Sequence, residues 1–347
     1  MNRRFTRREI LAGATFAALA GTPILAACAG GTDSAGGTTR LTTQLTYLLD
    51  VTFAGWYLAD TAGYLKSENV TSNLLPYGAN VPTTSAVVAG GQADVGLGAI
   101  REVIEANNQG ADLMVFGTQF QKSPGGLLSL AKNPVRTIHD VIGKRIGLDP
   151  SAQATLDVAL DNAGLPHDYK VVNVSGDPQP LVDGQVDAMA VFVTSQPITL
   201  DRRGVANVAV TFDELGFPSY ENVLIARRKT VEKERDALVR YLRAVIKGWE
   251  LNRQDVVAGA KKTFDLYGKD NALDLAQQTE ENRRQMPLME SALTGKKGLF
   301  QMSLEDIGGP QYQALRRAGV QPMPDVKSFV TLDILDAAYD GKTSLLS

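Results

Sequence analysis

The chain has 347 residues and a formal net charge of -3, with 44% hydrophobic and 21% charged residues. These values are ordinary for a globular protein, and the length suits about two domains of roughly 100–200 residues each. Basic residues cluster only at the extreme N-terminus, which argues against nucleic acid as a partner. Cys28 is the single cysteine, so an intrachain disulfide and a cysteine-based metal site are excluded.

The first 27 residues are predicted to be an export signal. Four arginines within residues 3–8 precede an apolar stretch over 10–27 that ends in small residues. The segment TRREIL at 6–11 resembles a twin-arginine signal, with the general secretory route as the alternative. A membrane-spanning anchor is also conceivable, but Gly13, Gly21 and Pro23 weaken it because a spanning helix needs about 20 strongly apolar residues.

The segment LAAC at 25–28 resembles the bacterial lipobox, in which the cysteine becomes the lipid-modified first residue of the mature protein. Residues 28–40 are mostly Gly, Ser, Thr and Ala, a composition typical of a flexible tether. We therefore predict an extracytoplasmic protein that is attached to the membrane through lipid on Cys28.

From residue 41 onward, apolar strand patterns alternate with helical ones. Strands are predicted at 41–48, 74–77, 93–98 and 113–119, and helices at 53–65, from Pro82 and at 100–108. Such alternation favours a parallel sheet with helices on its faces.

The alternation restarts after Pro134. Strands are predicted at 145–148, 170–174, 187–193, 208–210 and 223–226, with helices at 138–142, 151–163, 178–184 and 197–204. The chain then turns helical over 232–252, 255–267, 271–285 and 312–318, and Leu238, Leu242, Val245 and Trp249 share one face of the first of these. Two α/β lobes are therefore expected.

Five segments, in order along the chain, resemble the solute-binding family for thiamine pyrimidine precursors, nitrate, sulfonates and taurine. They are AGWYLADTAGYL at 54–65, AGGQADVG at 89–96, FQKSPGGL at 120–127, DVIGKRIG at 140–147 and GQVDA at 184–188. The resemblance covers most of the chain between residues 41 and about 320.

This resemblance implies the periplasmic binding protein type II fold: two α/β lobes, each a mostly parallel sheet flanked by helices, joined by two hinge crossovers. Residues 41–132 and 219–347 would form lobe one, and 133–218 lobe two. The implied function is the substrate-binding subunit of an ABC importer. Its partners would be permease subunits, their ATPase and a small-molecule ligand, with no cofactor or bound metal.

Ligands in open α/β sheets bind beyond the carboxyl ends of the strands, and this rule selects the candidate site residues. Asn80 and Ser151 lie in turns at predicted helix starts, where backbone N–H groups could hold a ligand acceptor or could simply be capped. Asp50 could accept from a ligand amine or cap the first helix. The aromatic candidates for stacking are Phe53, Trp56, Phe192 and Tyr220, whereas Tyr57 is expected in the core.

Three glutamines, Gln119, Gln121 and Gln196, follow predicted strands where amides can donate and accept. The pyrimidine binders of the family typically place a Glu in the segment matching TSQP at 194–197, and here that position is Gln196. This departure disfavours an aminopyrimidine and leaves neutral heteroaromatics, including a flavin-like ring, open.

A planar heteroaromatic nutrient, such as a thiamine pyrimidine precursor or a flavin-like compound, is therefore the predicted ligand. A sulfonate, taurine or nitrate ligand is the alternative within the binding proteins. A pyrimidine-synthesis enzyme is less favoured, because the related fungal-type branch relies on a histidine and a cysteine-rich motif, and only His139 and His167 are present here. No catalytic residue is predicted, and a sensory domain is a third alternative.

Overall fold

A computed structural model of the protein describes residues 37–78, 81–174 and 176–346. The chain from Thr38 onward forms one unit. The predicted export signal, Cys28, most of the predicted tether and Asn80 lie outside the described residues. Among the residues that are described, no helix is both long and apolar enough to cross a bilayer.

Sheet one has five strands in the order β2-β1-β3-β10-β4. Its strands are β1 (Thr39–Gln44), β2 (Val70–Leu75), β3 (Val95–Gly98), β4 (Leu113–Phe120) and β10 (Glu221–Arg227). β1 is parallel to both β2 and β3, whereas β10 is antiparallel to β3 and β4. β10 is thus the one reversed strand of this sheet, and its beginning lies at the edge where β1, β3 and β4 end.

Sheet two repeats this arrangement in the order β7-β6-β8-β5-β9. Its strands are β5 (Gly125–Leu130), β6 (Arg145–Gly147), β7 (Lys170–Val172), β8 (Ala188–Phe192) and β9 (Asn207–Thr211). β6 is parallel to β7 and β8, and β5 is antiparallel to β8 and β9. The chain crosses between the sheets twice, over residues 121–124 and 212–220, which confirms the predicted fold class.

Helices flank both sheets. In chain order they are α1 (Ala54–Thr61), α2 (Tyr64–Ser67), α3 (Thr84–Ala89), α4 (Ile100–Asn108), α5 (Pro150–Ala163), α6 (Gln179–Val182), α7 (Gln196–Arg202), α8 (Arg228–Lys233), α9 (Arg235–Gln254), α10 (Val256–Tyr267), α11 (Leu275–Gln285), α12 (Ala292–Lys297), α13 (Leu304–Asp306), α14 (Tyr312–Arg317) and α15 (Asp333–Tyr339). Short 3-10 helices lie at Val51–Phe53, Ile138–Val141, Met286–Met289 and Val326–Ser328, and a π-helical turn at Ile307–Gln311.

Several boundaries differ from the sequence prediction for local reasons. The helix predicted over 53–65 is interrupted at Gly63, whose φ of 78° is left-handed and ends one helix before the next begins. The helix predicted from Pro82 starts at Thr84, because the Thr83 side chain accepts from the Ala86 N–H and caps it. Lobe two was predicted to begin at residue 133, but the first strand of sheet two, β5, begins at Gly125. The chain crosses between the sheets before that strand.

The core of the first lobe forms where α1 crosses α9. A Cβ added at Gly248 would lie 2.0 Å from the Gly55 carbonyl oxygen, so the two helix backbones touch at this point. The Trp249 indole fills the space beside Gly55, 2.2 Å from where a Cβ would stand. Glycine is therefore needed at both positions for the helices to pack this closely.

Candidate ligand-binding site

A network of buried amides links three segments at the carboxyl edge of sheet one. Thr46 Oγ1 donates to Asn222 Oδ1 at 2.8 Å, and Asn222 Nδ2 donates to Gln119 Oε1 at 2.9 Å. Gln119 Nε2 then donates to the Thr52 carbonyl at 2.8 Å. The ends of β1 and β4 and the start of β10 are thereby held together, which fixes the floor of the candidate site.

The two crossovers meet beside a pair of glutamates. Ser123 Oγ donates to Glu221 Oε2 at 3.0 Å, and the Ser123 N–H donates to the Ser219 carbonyl at 3.0 Å. Burial raises the pKa of Glu221 to about 7, and the neighbouring carboxylate of Glu102 adds to the rise. Burial likewise raises the pKa of Glu102, which lies in the first turn of α4 directly after β3.

A second acidic pair lies where β1 leads into α1. Asp50 Oδ1 accepts from the Thr52 N–H at 2.9 Å and so caps the 3-10 turn at Val51–Phe53. Burial raises the pKa of Asp50 to about 7, and the carboxylate of Glu281 contributes further. Burial raises the pKa of Tyr47, and the charges of Asp50 and Glu281 raise it further. Tyr47 is therefore near both acids. Its side chain is nevertheless 45% exposed, so an aromatic ring is accessible beside the two carboxyls.

The two lobes meet at Glu281, on α11. Its carboxylate accepts from Ser195 Oγ at 2.7 Å, from Gln277 Nε2 at 2.9 Å and from Gln278 Nε2 at 3.0 Å. Ser195 follows β8 of sheet two, whereas α11 belongs to the part of the chain after β10. A strand-end loop of sheet two therefore contacts a helix of the other lobe at this point.

These acids lack cationic partners within the described part of the chain. None of the ion pairs formed there involves Asp50, Glu102, Glu221 or Glu281. The described residues also contain no group of three or more His, Cys, Asp or Glu that could hold a metal ion. The arrangement is suited to accept hydrogen bonds from N–H groups, or to hold a positive charge, next to an aromatic ring.

Two predicted site residues reach this region in different roles. Asp50 caps a helical turn, which is one of the two roles predicted for it, and it lies beside Glu281. Its role as acceptor from a ligand amine stays a prediction. Gln119 is fully buried, and its amide is occupied by the Thr52 carbonyl and Asn222. Gln119 therefore braces the floor of the site.

The other two glutamines are also engaged within the protein. Gln121 donates to the Gln301 carbonyl at 2.8 Å and accepts from Ser291 Oγ at 2.8 Å. Gln196 Oε1 accepts from the Phe192 N–H at 3.1 Å, which closes the turn from β8 into α7. Both side chains hold loops in place, and the half-buried Phe192 contributes to the same turn.

The expectation that Phe53 and Trp56 present their rings to a ligand is wrong in this structure. Phe53 is 0% and Trp56 1% exposed. Trp56 makes edge-on contacts with the rings of Phe53, Trp249 and Phe300, each with centroids 6.0 Å apart, and its Nε1 donates to Tyr241 Oη at 2.7 Å. The ring is surrounded by core side chains and its only donor is used, so it is a packing residue.

Tyr220 likewise has a structural role. It is 4% exposed, its hydroxyl donates to Asp306 Oδ2 at 3.1 Å, and it accepts from the Ser303 N–H at 3.0 Å. Ser151 is the second residue of α5, and the structure does not describe its side chain. Tyr57 lies in the core as predicted, at 2% exposure.

Sequence reasoning missed Tyr47, Glu102, Glu221 and Glu281. Glu281 and Ser195 are 86 residues apart, and nothing local in either segment indicates that they meet. Tyr47 fell inside the predicted strand 41–48, which in fact ends at Gln44. Only Glu102 carried a usable signal, since it is an acidic residue in the first helical turn after the glycine-rich end of β3.

Comparison with known proteins identifies the family. The family model described as NMT1/THI5 like matches residues 50–255. The chain is 26% identical over 203 residues to 4-amino-5-hydroxymethyl-2-methylpyrimidine phosphate synthase of Schizosaccharomyces pombe, covering 54% of this chain and 58% of that protein. It thus spans less than two thirds of the synthase.

Two further relatives align over longer stretches. The riboflavin-binding protein RibY of Chloroflexus aurantiacus is 23% identical over 279 residues, which is 75% of this chain and 76% of RibY. The alkanesulfonate-binding protein SsuA of Xanthomonas axonopodis pv. citri, solved with MOPS, superposes with a TM-score of 0.63 at 18% identity, covering 86% of this chain and 99% of SsuA. The chain belongs to the NMT1/THI5-like family and has the periplasmic binding protein fold.

Proposed function

We propose that the protein is the extracytoplasmic substrate-binding subunit of an ABC importer. It captures a small organic nutrient between two lobes that close about the crossovers at 121–124 and 212–220, and presents the closed form to permease subunits and their ATPase. One lobe is built on sheet one with the helices that follow β10, and the other on sheet two including β5. The observation that carries this proposal is the contact of Ser195 with Glu281, because it joins the loop after β8 of sheet two to α11, the helix that binds the Val51 loop of sheet one.

The ligand that suits the site is a planar heteroaromatic molecule bearing N–H donors. The exposed ring of Tyr47 offers a stacking surface, and the carboxyls of Asp50, Glu102, Glu221 and Glu281 offer acceptors without cationic partners. Gln196 no longer counts against an aminopyrimidine, because these other segments supply the acids. A sulfonate or nitrate would instead bring negative charge toward buried carboxyls, which is electrostatically unfavourable.

Calorimetric titration at neutral pH tests the ligand class. The panel consists of 4-amino-5-hydroxymethyl-2-methylpyrimidine, riboflavin, taurine, an alkanesulfonate and nitrate. Saturable binding of a ring compound is expected, with no heat from taurine, the alkanesulfonate or nitrate. Tight binding of taurine, a sulfonate or nitrate, without a response to either ring compound, would overturn the assignment. Mass spectrometry of small molecules that co-purify with the protein extends the same test to ring compounds outside the panel.

An enzyme of pyrimidine synthesis is the second candidate, because the Schizosaccharomyces pombe relative is named as a pyrimidine phosphate synthase. The two functions differ in outcome. A binding protein returns its ligand unchanged, whereas a synthase would accumulate a pyrimidine phosphate that mass spectrometry detects. Appearance of that product in an incubation of the purified protein would replace the transport proposal.

Attachment to the membrane through lipid on Cys28 is part of the same proposal. It rests on the segment LAAC at 25–28 and on the small-residue stretch that follows. Export by the twin-arginine route is proposed for the segment TRREIL at 6–11, with the general secretory route as the alternative.

A further inference from the structure

Two reciprocal ion pairs join the lobes along α7 and α11. Arg202 of α7 makes a two-pronged contact with Asp274, the cap of α11, with Nη1 to Oδ1 at 2.6 Å and Nη2 to Oδ2 at 3.1 Å. Arg284 of α11 donates through Nη2 to Asp201 Oδ2 of α7 at 3.0 Å. Each helix therefore supplies one cation and one anion, and the pairing fits only one relative placement of the two helices.

Contacts other than ion pairs continue this junction toward the cleft. Ser195 Oγ, just before α7, donates to Glu281 at 2.7 Å, and Thr199 Oγ1 lies 3.5 Å from Gln277 Oε1. Glu281 is buried, whereas the side chains of Arg202 and Asp274 are 46% and 51% exposed. The junction thus runs from the interior of the cleft to its solvent-exposed rim.

A neighbouring face of α11 binds the loop that carries Asp50. Gln278 Oε1 accepts from the Val51 N–H at 2.8 Å, and Gln285 Nε2 donates to the Val51 carbonyl at 2.8 Å. Both polar groups of the Val51 backbone are therefore bound by this one helix. α11 therefore contacts both the candidate ligand loop and the second lobe.

We propose that the α7–α11 junction is a latch that sets how far the cleft is closed before ligand arrives. This inference rests on the proposed binding function and adds its regulation. Exposed ion pairs are individually weak, at about 0.2–1 kcal/mol each, so the latch shifts the balance between open and closed forms without locking it. Ligand affinity follows that balance, because a molecule that is already closed more often binds more tightly.

A charge-swap cycle tests the latch in the full chain without any ligand. Small-angle X-ray scattering is compared for wild type, Arg202→Asp, Asp274→Arg and the doubly swapped protein. Each single swap is expected to reduce the closed-to-open ratio by up to about fivefold and to increase the radius of gyration. The double swap restores the attraction and is expected to return the curve toward wild type, which a general loss of folding would not do. Any remaining difference reports the lost Asp274 cap of α11.

Arg235→Gln serves as the matched control, because Arg235 pairs with Asp333 in the same two-pronged manner within the first lobe. Ser195→Ala removes the buried hydrogen bond to Glu281 at the inner end of the junction. It is expected to open the cleft without substituting a charged residue. Superposable scattering curves for wild type, both single swaps and Ser195→Ala would overturn the latch. Because the measurement needs no ligand, a failure of every compound to bind would count against the proposed function and leave the scattering result standing.

Discussion

Replacing Asp50 by asparagine separates its charge from its hydrogen bond. The Asp50 side chain is 7% exposed and accepts from the Thr52 N–H at 2.9 Å. Asparagine has nearly the same shape, is an equally good helix cap and can accept the same bond. The variant therefore removes a buried negative charge that lies beside Glu281 while leaving the turn intact.

The size of the effect follows from the pKa. A rise from 3.8 to about 7 makes the ionised folded form less stable by at most about 4 kcal/mol. Because the folded pKa is above the unfolded one, the stability due to the protonated acid is fully present below pH 4 and is lost as pH rises to about 7. Asp50→Asn should therefore match wild type near pH 4 and exceed it at pH 8 by about 1–4 kcal/mol.

Urea unfolding followed by circular dichroism at pH 4, 6 and 8 measures this difference. Asp255→Asn is the control, since Asp255 is an exposed cap of α10 that accepts from the Val257 and Ala258 N–H groups. The control should change stability little and equally at all three pH values. An Asp50→Asn protein that is less stable than wild type by the same amount at every pH would show that ionisation of Asp50 does not destabilise the fold.

Three further predictions concern the anchor, the stacking surface and the core. Cys28→Ala should move the protein from the membrane to the soluble fraction of the native host, and a wild-type protein that carries no lipid on Cys28 would contradict this. Tyr47→Ala should weaken binding of a ring ligand about tenfold in calorimetry while Tyr47→Phe keeps most of the affinity, because the ring supplies the stacking contact. Equal losses in the two variants would point to the hydroxyl instead. Gly248→Ala should destabilise the fold by about 3 kcal/mol in chemical unfolding, since its Cβ would lie 2.0 Å from the Gly55 carbonyl oxygen, whereas Gly295→Ala, with open space at that position, should be neutral. A tolerated Gly248→Ala would mean that the helices separate at little cost.

Much of the fold could be predicted because its signals are local. The alternation of strands and helices, the restart after Pro134 and the helix Ile100–Asn108 follow from periodicity within short windows. β5 was not predicted, because GGLLSL is a short apolar run whose type periodicity alone does not decide. Its central antiparallel place in sheet two depends on pairing with β8 and β9, whose partner residues lie 59–67 and 77–85 positions later in the chain.

The sequence led to the sheet edge where the candidate site lies, but it did not reveal the hydrogen bonding there. The strand-end rule led to Asp50 and Gln119, which do lie at the carboxyl edge of sheet one. It could not show that the Gln119 amide is fully used inside the protein. The helical spacing of Trp56 is the same whether its ring faces a cleft or the core. Its indole N–H is bound in the core by Tyr241, which is 185 positions away and could not be paired with it from the sequence.

Acids whose pKa values are raised by burial are proposed to lose protons when they accept from the donors of the ligand. The most direct measurement is calorimetry of the bound ring compound at pH 6.5 in buffers with different heats of ionisation, for wild type and for Asp50→Asn combined with Glu221→Gln. Since both pKa values are raised to about 7, binding of an N–H donor or a cation should lower them and release protons, and affinity should fall as pH drops. Wild type is expected to release protons when the ring compound binds, and the double variant is expected to lose that release. Proton uptake on binding, with affinity that rises as pH falls, would show that the site takes an anion and would contradict this expectation.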